Sequence, residues 1–187
     1  LSGGQLQRAS IARAISTEPS VVVLDEPTAQ LSPEAEEHVL LLLNELQEQL
    51  GLTYIYISHD LSLVRSICDR VLIMYLGQIV EIGTAEEIFE RPQHPYTRTL
   101  IGSILRLDPR QRAERAGREK LEGEIPSPID LPRGCYLASR CNHVLDRCRA
   151  EAQTLEPDAQ GRLVRCWRAR AGELGDDGQA PGSVPAA

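Results

Sequence analysis

The sequence is poor in aromatic residues and in long apolar runs. Aromatic side chains make up 4% of the 187 residues, so an apolar core has to be built from aliphatic side chains. Apolar runs such as residues 39–43 are far shorter than the roughly 20 residues that a membrane-spanning helix needs. No charged segment followed by an apolar stretch opens the chain, so no secretory signal is predicted.

A phosphate-binding loop is also missing. The pattern G-x-x-x-x-G-K-[ST], whose backbone N–H groups and lysine hold nucleotide phosphates, occurs nowhere, and the only lysine is Lys120. The chain starts at Leu1 rather than at a methionine. If the protein uses such a loop, we expect it to precede Leu1.

The net charge of −7 is unevenly distributed along the chain. Residues 1–97 carry 5 basic and 14 acidic side chains, whereas residues 98–170 carry 15 basic and 10 acidic ones. A basic stretch can bind nucleic acid. Here acidic residues alternate with the arginines and aromatic residues are nearly absent, so we predict a solvated surface and no nucleic-acid partner.

Periodicity and turn residues predict alternating helices and strands. Ser2 is placed to cap a helix over 3–16, and VVVL (21–24) is typical of a strand buried on both faces. Ser32 and Pro33 predict a helix that runs to about Leu50. The later elements are a buried strand at 53–58, a helix at 61–68, a hairpin at 71–83 that turns at Gly77, and a capping box at 84–87. This order predicts an α/β fold with a parallel sheet.

Two carboxylates directly follow the first predicted strand. Asp25 and Glu26 would be costly to bury unless something stabilises their charges. A Mg²⁺ ion accounts for one of them, since phosphate-bound Mg²⁺ commonly takes an aspartate, and the other is then placed to orient a water. His59 follows the second predicted strand and would lie on the same rim of the sheet. A surface histidine with satisfied hydrogen bonds is the alternative for His59.

Three motifs in a fixed order resemble the C-terminal half of an ATP-binding cassette (ABC) ATPase: LSGGQ at 1–5, DEPT at 25–28 and SHD at 58–60. In that family LSGGQ is the signature motif, the carboxylates close the Walker B strand, and the histidine is the switch residue. The resemblance covers residues 1–105. It implies the C-terminal part of a P-loop NTPase domain of the ABC type, a parallel sheet with helices.

The resemblance also implies a role for each motif residue. Asp25 would hold Mg²⁺, Glu26 would polarise the attacking water, and His59 would contact the γ-phosphate. The signature residues Ser2, Gly3, Gly4 and Gln5 would bind the γ-phosphate of an ATP held by a partner subunit. A serine hydroxyl, glycines and the free N–H groups of a helix N-terminus suit an anion.

One position departs from the family pattern. After DEPT the family usually reads S-A-L-D, whereas this chain has Ala29-Gln30-Leu31-Ser32. The missing aspartate is the residue that links the two nucleotide sites in the family. Ser32 can cap the next helix as well as aspartate would, so the departure bears on communication between sites.

The second half of the chain resembles the oligopeptide/dipeptide branch of importers. RPQHPYTRTL (91–100) and GEIPSPIDLPRGC (123–135) carry this resemblance. Four cysteines follow with a layout that ligates a [4Fe–4S] cluster in some members of the branch: Cys135, Cys141, Cys148 and Cys166. Four thiolates suit such a cluster. Zinc is the alternative metal, although its cysteine pairs are usually more closely spaced.

These resemblances imply the ATP-hydrolysing subunit of a peptide importer, using ATP and Mg²⁺. Its partners would be a second ABC ATPase subunit, integral-membrane permease subunits and an extracytoplasmic solute-binding protein. It would lie peripherally on the cytoplasmic face of the plasma membrane. The expected organisation is a partial ATPase domain (1–105), a linker (106–133), a Cys-rich module (134–170) and a disordered tail (171–187). Without a phosphate-binding loop, the chain alone should not hydrolyse ATP.

Two other functions fit part of this pattern. One is an ABC ATPase that takes no part in transport, such as a DNA-repair type with a metal module. Salt-dependent DNA binding by the full-length protein would support this alternative. The other is an inactive remnant that only binds metal. An in-frame phosphate-binding loop in the DNA upstream of Leu1 would distinguish a fragment from a remnant.

Overall fold

The structure, a computed structural model, describes residues 2–104 and 121–175. The chain divides into two compact units, one up to Asp60 and one from Leu61 onward. Residue 105 of the predicted ATPase domain, residues 106–120 of the predicted linker and residues 176–187 of the predicted tail lie outside the described residues. The domain boundaries expected at 105 and 133 stay predictions.

The first unit is a small α/β layer with an aliphatic core. Its elements are α1 (Gly3–Ile15), β1 (Val21–Asp25), α2 (Pro33–Leu50) and β2 (Thr53–Ile57). Strands β1 and β2 pair in parallel, with Val21 opposite Thr53 and Asp25 opposite Ile57. One face of this pair packs on the two helices. The buried core residues of the unit are Ile11, Val22, Leu24, Val39, Leu43 and Leu52.

Both ends of α2 follow from single residues. The Ser32 hydroxyl accepts a hydrogen bond from the Ala35 N–H at 3.4 Å, and Pro33 occupies the first helical position. Gly51 ends the helix in the left-handed region (φ 64°), and its N–H donates to the Gln47 carbonyl at 2.9 Å. The predicted start and end of this helix are confirmed.

The prediction that both strands are buried on both faces is wrong. In β1 and β2 every second residue is exposed, while the residues between them are buried or half-buried. The reason is that α1 and α2 cover only one face of the pleated pair. The apolar, β-branched composition that suggested full burial therefore leaves an uncovered face in the described structure.

The second unit is built around an antiparallel sheet. Its elements are α3 (Leu61–Ile67), β3 (Arg70–Tyr75), β4 (Gln78–Thr84), α4 (Ala85–Glu90), α5 (Pro95–Gly102), α6 (Asp146–Ala150), β5 (Glu156–Pro157), β6 (Leu163–Val164) and α7 (Trp167–Arg170). The strand order is β3-β4-β6-β5. Strand β6 thus pairs with β4, although about 80 residues separate them in sequence. None of the helices in the described part of the chain is long and apolar enough to cross a membrane.

The predicted hairpin and capping box are both present. Strands β3 and β4 turn through Leu76 (φ 46°) and Gly77 (φ 78°), two positive values that are typical of a two-residue hairpin loop. Thr84 then caps α4: its hydroxyl accepts from the Glu87 N–H, and its own N–H donates to the Glu87 carboxylate. The hairpin packs on α4 through Ile88 and Phe89.

Candidate functional site

Glu26 and His59 are in direct contact at the carboxyl end of the parallel strands. His59 Nδ1 lies 2.7 Å from Glu26 Oε1, and the His59 backbone N–H donates to the same oxygen at 3.2 Å. The His59 side chain is 84% exposed and that of Glu26 36%. The hydrogen bond that His59 donates to Glu26, together with the negative charge of that carboxylate, raises the pKa of His59 above the ordinary 6.5. The pair therefore favours an imidazolium bound to a carboxylate.

The backbone explains why two residues 33 positions apart meet. Asp25 ends β1 opposite Ile57, the last residue of β2. Glu26 then takes a positive φ of 46°, and its N–H donates to the Ile57 carbonyl at 2.9 Å. A positive φ is uncommon for a residue other than glycine and is frequent at functional sites. This turn directs Glu26 away from the strand and toward His59.

Asp25 lies at the same edge but on the open face of the sheet. It is exposed and lies on the same face of β1 as the exposed residues Val21 and Val23. An exposed carboxylate at a strand end is a suitable oxygen ligand for Mg²⁺. The structure thus brings Glu26 and His59 into contact and places Asp25 directly before them.

The signature residues form the N-terminus of α1. The Ser2 hydroxyl accepts from the Gln5 N–H at 3.3 Å, and Gln5 Oε1 accepts from the Ser2 N–H at 2.8 Å. This is a capping box made with glutamine. Because both contacts use oxygen as acceptor, the hydroxyl hydrogen of Ser2 and the amide hydrogens of Gln5 stay available to donate. The box presents donors to solvent and no negative charge.

The two glycines of the motif have a packing role as well. A Cβ atom on Gly4, which is buried, would lie 3.4 Å from Ala35 Cβ, and one on Gly3 would lie 3.3 Å from Leu31 Cδ2. The start of α1 therefore lies close to the start of α2. The expectation that these glycines let an anion approach closely stays a prediction, and Gly4 in addition faces a neighbouring helix.

A buried polar network in the second unit was not foreseen from the sequence. Glu81 is fully buried in β4 and accepts from the N–H groups of Gln93 and His94, both at 2.9 Å. Burial raises the pKa of Glu81, while these N–H donors and the charge of Arg162 oppose the rise. Arg162 Nη1 lies 3.7 Å from Glu81 Oε1. Arg162 directly precedes β6. The network therefore links the start of β6 to Glu81 in β4.

His94, in the HPYT segment, belongs to the same buried network through the hydrogen bond from its N–H to Glu81. It is buried and caps α5, with Nδ1 accepting from the Tyr96 N–H at 3.1 Å. Burial lowers its pKa to about 3, and the backbone of Arg165 opposes this by accepting a hydrogen bond from the imidazole. The histidine is therefore neutral and structural. A sequence signal existed, since a polar residue before a proline at the first helical position is typical of an N-cap.

The four clustered cysteines are not arranged as a ligand set. Cys148 and Cys166 are buried, Cys135 and Cys141 are half-buried, and none of the four forms a disulfide bond in the described part of the chain. The Cys135 N–H donates to the Cys148 carbonyl at 2.7 Å, so these two segments are adjacent. Burial raises the pKa of the Cys135 thiol to about 11 and also raises that of Cys166. Within residues 2–104 and 121–175, no group of three or more His, Cys, Asp or Glu side chains is positioned to hold a metal ion.

Comparison with known proteins gives two family matches. Residues 1–29 match the family described as "ABC transporter", and residues 80–148 match "Oligopeptide/dipeptide transporter, C-terminal region". The first match contains the signature motif and the two strand-end carboxylates. The second contains the HPYT segment and three of the four clustered cysteines.

Curated relatives are similar over most of the chain. The dipeptide transport ATP-binding protein DppF of Haemophilus influenzae is 48% identical over 166 residues, which are 89% of this chain and 50% of that protein. The probable D,D-dipeptide transport ATP-binding protein DdpF of Escherichia coli is 46% identical over 168 residues, 90% of this chain and 53% of that protein. The chain thus spans about half the length of the relatives it matches. A solved structure, cbiO1 of Clostridium perfringens, is 38% identical with a TM-score of 0.45, covering 54% of this chain and 40% of that one.

Proposed function

Since the chain belongs to the ABC-type ATP-binding proteins of the oligopeptide/dipeptide transporter family, we propose that it provides the hydrolytic half of the ATPase subunit of a peptide importer. The observation that carries this proposal is the contact between Glu26 and His59 beside Asp25. In the complete subunit this edge would face the γ-phosphate. The partners we propose are a second ATPase subunit, permease subunits and a solute-binding protein, with the subunit on the cytoplasmic side of the membrane.

The chemistry assigned to the site is attack of water on the γ-phosphate. Bound Mg²⁺ would supply charge neutralisation at the phosphates, and Asp25 is the residue that would hold it. Glu26 has one oxygen engaged by His59, so its other oxygen can accept a hydrogen bond from a water and orient it. His59 has a raised pKa and carries the donor that would turn from Glu26 to a γ-phosphate oxygen.

The signature residues serve a second nucleotide. Ser2 and Gln5 present donor hydrogens at the start of a helix whose first turn carries no acidic residue. Free N–H groups and the positive end of the helix dipole favour an anion at this position. We therefore propose that α1 binds the γ-phosphate of an ATP held by the partner subunit.

The four clustered cysteines are the candidate ligands of a metal centre. We propose that Cys135, Cys141, Cys148 and Cys166 ligate a metal centre in the complete protein, a [4Fe–4S] cluster before zinc. The support is their sequence spacing and the hydrogen bond from the Cys135 N–H to the Cys148 carbonyl, which holds these two segments side by side. The thiols as placed do not form a ligand set. We assign the centre no part in ATP hydrolysis.

Replacing Glu26 with glutamine in the full-length subunit tests the proposed function. We expect turnover to fall by about 10²-fold or more, because general-base assistance is lost, while ATP binding persists. The matched control is Glu45→Gln, an exposed position on α2 that should leave turnover unchanged. Equal turnover in the Glu26 variant and the control would remove Glu26 from the mechanism.

A further inference from the structure

The turn after β1 holds two residues in an uncommon backbone conformation. Glu26 opens the turn with a φ of 46°, and Gln30 follows with a φ of 64°. Positive φ values are strained for residues other than glycine and persist only where neighbouring contacts fix them. We call residues 26–31 the Glu26 turn. Because the Glu26 carboxylate contacts His59, whatever fixes this turn also fixes that contact.

Backbone hydrogen bonds hold part of the turn in place. The Glu26 N–H donates to the Ile57 carbonyl of β2 at 2.9 Å, which ties the start of the turn to the sheet. Within the turn, the Ala29 N–H donates to the Glu26 carbonyl at 3.1 Å. The Leu31 N–H donates to the Thr28 carbonyl at 3.2 Å. Of these three bonds, only the first holds the turn against β2, since the other two close it on itself.

Side chains make a second link between the turn and β2. Thr28 Oγ1 lies 3.5 Å from the hydroxyl oxygen of Tyr56, and either hydroxyl can donate. Tyr56 is held by its own strand, because it pairs with Leu24 in the parallel register and packs on the core of the first unit. The distance is at the long end for a hydrogen bond, so a small movement of the turn decides whether the bond forms. The contact therefore constrains the turn more than it constrains β2.

The two side-chain contacts bridge the same two segments of the chain. Thr28 follows Glu26 by two residues, and Tyr56 precedes His59 by three. One contact joins the functional side chains, and the other supports the turn directly behind them. We propose that Tyr56 is a positioning residue, which through Thr28 holds the Glu26 turn so that the Glu26 carboxylate stays against His59. The consequence for ATP hydrolysis rests on the proposed function, whereas the consequence for the Glu26–His59 contact depends on the fold alone.

The same strand offers a matched control for the Tyr56 hydroxyl. Tyr54 lies two residues earlier on the same face of β2 and is half-buried like Tyr56. Its hydroxyl donates to the Leu43 carbonyl of α2 at 2.9 Å, away from the Glu26 turn. Tyr54→Phe and Tyr56→Phe thus each remove one hydroxyl from one strand and keep the ring. A loss that is merely structural should appear in both variants, because Tyr54→Phe also leaves a carbonyl without its donor.

The His59 amide reports the position of the carboxylate without any nucleotide, since it donates to Glu26 Oε1 at 3.2 Å. The full-length subunit is labelled with nitrogen-15 histidine, and the resonance is assigned by its absence from His59→Asn. We expect Tyr56→Phe and Thr28→Val to move this amide proton upfield, because the hydrogen bond to the carboxylate weakens. Tyr54→Phe should leave it in place. Thr28→Ser keeps a hydroxyl and should restore the original resonance.

Turnover of the full-length subunit measures the consequence for hydrolysis. In Tyr56→Phe and Thr28→Val, kcat should fall by about five- to tenfold, because Glu26 is less well placed but still present. The KM for ATP should not change, since neither side chain is assigned to the nucleotide. A double variant should lose no more than either single variant, because both remove the same contact.

Three results would overturn the proposal. The first is a His59 amide that stays in place in both Tyr56→Phe and Thr28→Val, and the second is an equal upfield movement in Tyr54→Phe. The third is a double variant whose losses add, since Thr28 and Tyr56 would then act separately. If the amide moves as expected while Glu26→Gln keeps full turnover, the positioning contact is retained and the proposed function is contradicted.

Discussion

Replacing Arg162 with methionine removes the one cation placed between two buried carboxylates of the described second unit. Arg162 Nη1 lies 3.7 Å from Glu81 Oε1, and Nε lies 3.8 Å from Asp158 Oδ2. The same Nη1 donates to the carbonyl oxygens of Glu87 at 3.1 Å and Arg91 at 2.7 Å. The side chains of Glu81 and Asp158 are 0% and 2% exposed, so water cannot replace these contacts. Methionine keeps an apolar stem and loses all of these guanidinium contacts, while the backbone hydrogen bond of residue 162 to Asp158 stays.

The expected loss is a large part of the stability of a domain. Removing one partner of a buried ion pair costs about 3–5 kcal/mol, because the remaining charge stays buried without compensation. A domain is stable by about 5–15 kcal/mol. With a denaturant slope of about 2 kcal/mol/M, the urea midpoint should fall by about 2 M. The control Arg149→Met, on the exposed side of α6, should change stability by less than about 0.5 kcal/mol.

The stability lost in the Arg162→Met variant should depend on pH, in a direction set by the pKa of Glu81. Burial raises the pKa of Glu81 above 4.5, and the charge of Arg162 opposes this rise. Without Arg162 the pKa of Glu81 rises further. At any pH between the unfolded and the folded pKa values, Glu81 of the folded variant therefore holds a proton that the unfolded chain has released. A raised carboxyl pKa contributes stability below the unfolded value that is lost as pH rises through the folded value. The variant should therefore lose less stability at about pH 5 than at about pH 7.5.

Trp167 is the only tryptophan and lies in the second unit, so its fluorescence follows the relevant transition. Urea titrations of the unchanged chain and both variants at the two pH values measure the midpoints. A shift no larger than that of Arg149→Met, or an equal loss at both pH values, would refute the assignment of Arg162 as the compensating charge. A Glu81→Gln/Arg162→Met variant should recover part of the loss, since it buries no unpaired charge at position 81.

Three further predictions concern the signature motif and the cysteine segment. Gln5→Glu keeps the capping box, so the helix should form, but its carboxylate should weaken ATP-dependent dimerisation of the full-length subunit by about tenfold or more; dimerisation at the original ATP concentration would contradict anion binding at α1. Gly134→Ala would place a Cβ atom in steric overlap with the Cys148 carbonyl oxygen, so the melting temperature of the second unit should fall by at least about 4 °C; unchanged melting would contradict this close packing. Full-length protein purified without oxygen should be brown, and Cys148→Ser should lose that absorbance and its iron; colourless wild-type protein with bound zinc would identify the other metal.

Much of the fold follows from local rules. Ser32 with Pro33, and Thr84 with Glu87, fix helix starts through hydrogen bonds that span only three residues. Gly51 ends a helix because it reaches positive φ without strain. Such signals are visible in sequence because cause and effect lie within one turn of chain. The order of strands and helices, and with it the α/β class, could be predicted for this reason.

The strand burial could not be predicted in the same way. The composition of β1 and β2 is that of strands covered on both sides, and the sequence contains no information about which covering element is present. Only the packed structure shows α1 and α2 on one face of the strand pair and exposed side chains, most of them apolar, on the other.

By itself, the sequence determined which residues are available for chemistry: the signature residues at the start of α1, the two carboxylates at the end of β1 and the histidine after β2. The tertiary structure decided how they are used. It is the parallel register of β1 and β2, together with the positive φ of Glu26, that brings Glu26 within 2.7 Å of His59. It is the pairing of β6 with β4 that buries Glu81 beside Arg162. Both contacts join residues far apart in the chain, and such contacts depend on burial and strand register, which no local pattern encodes.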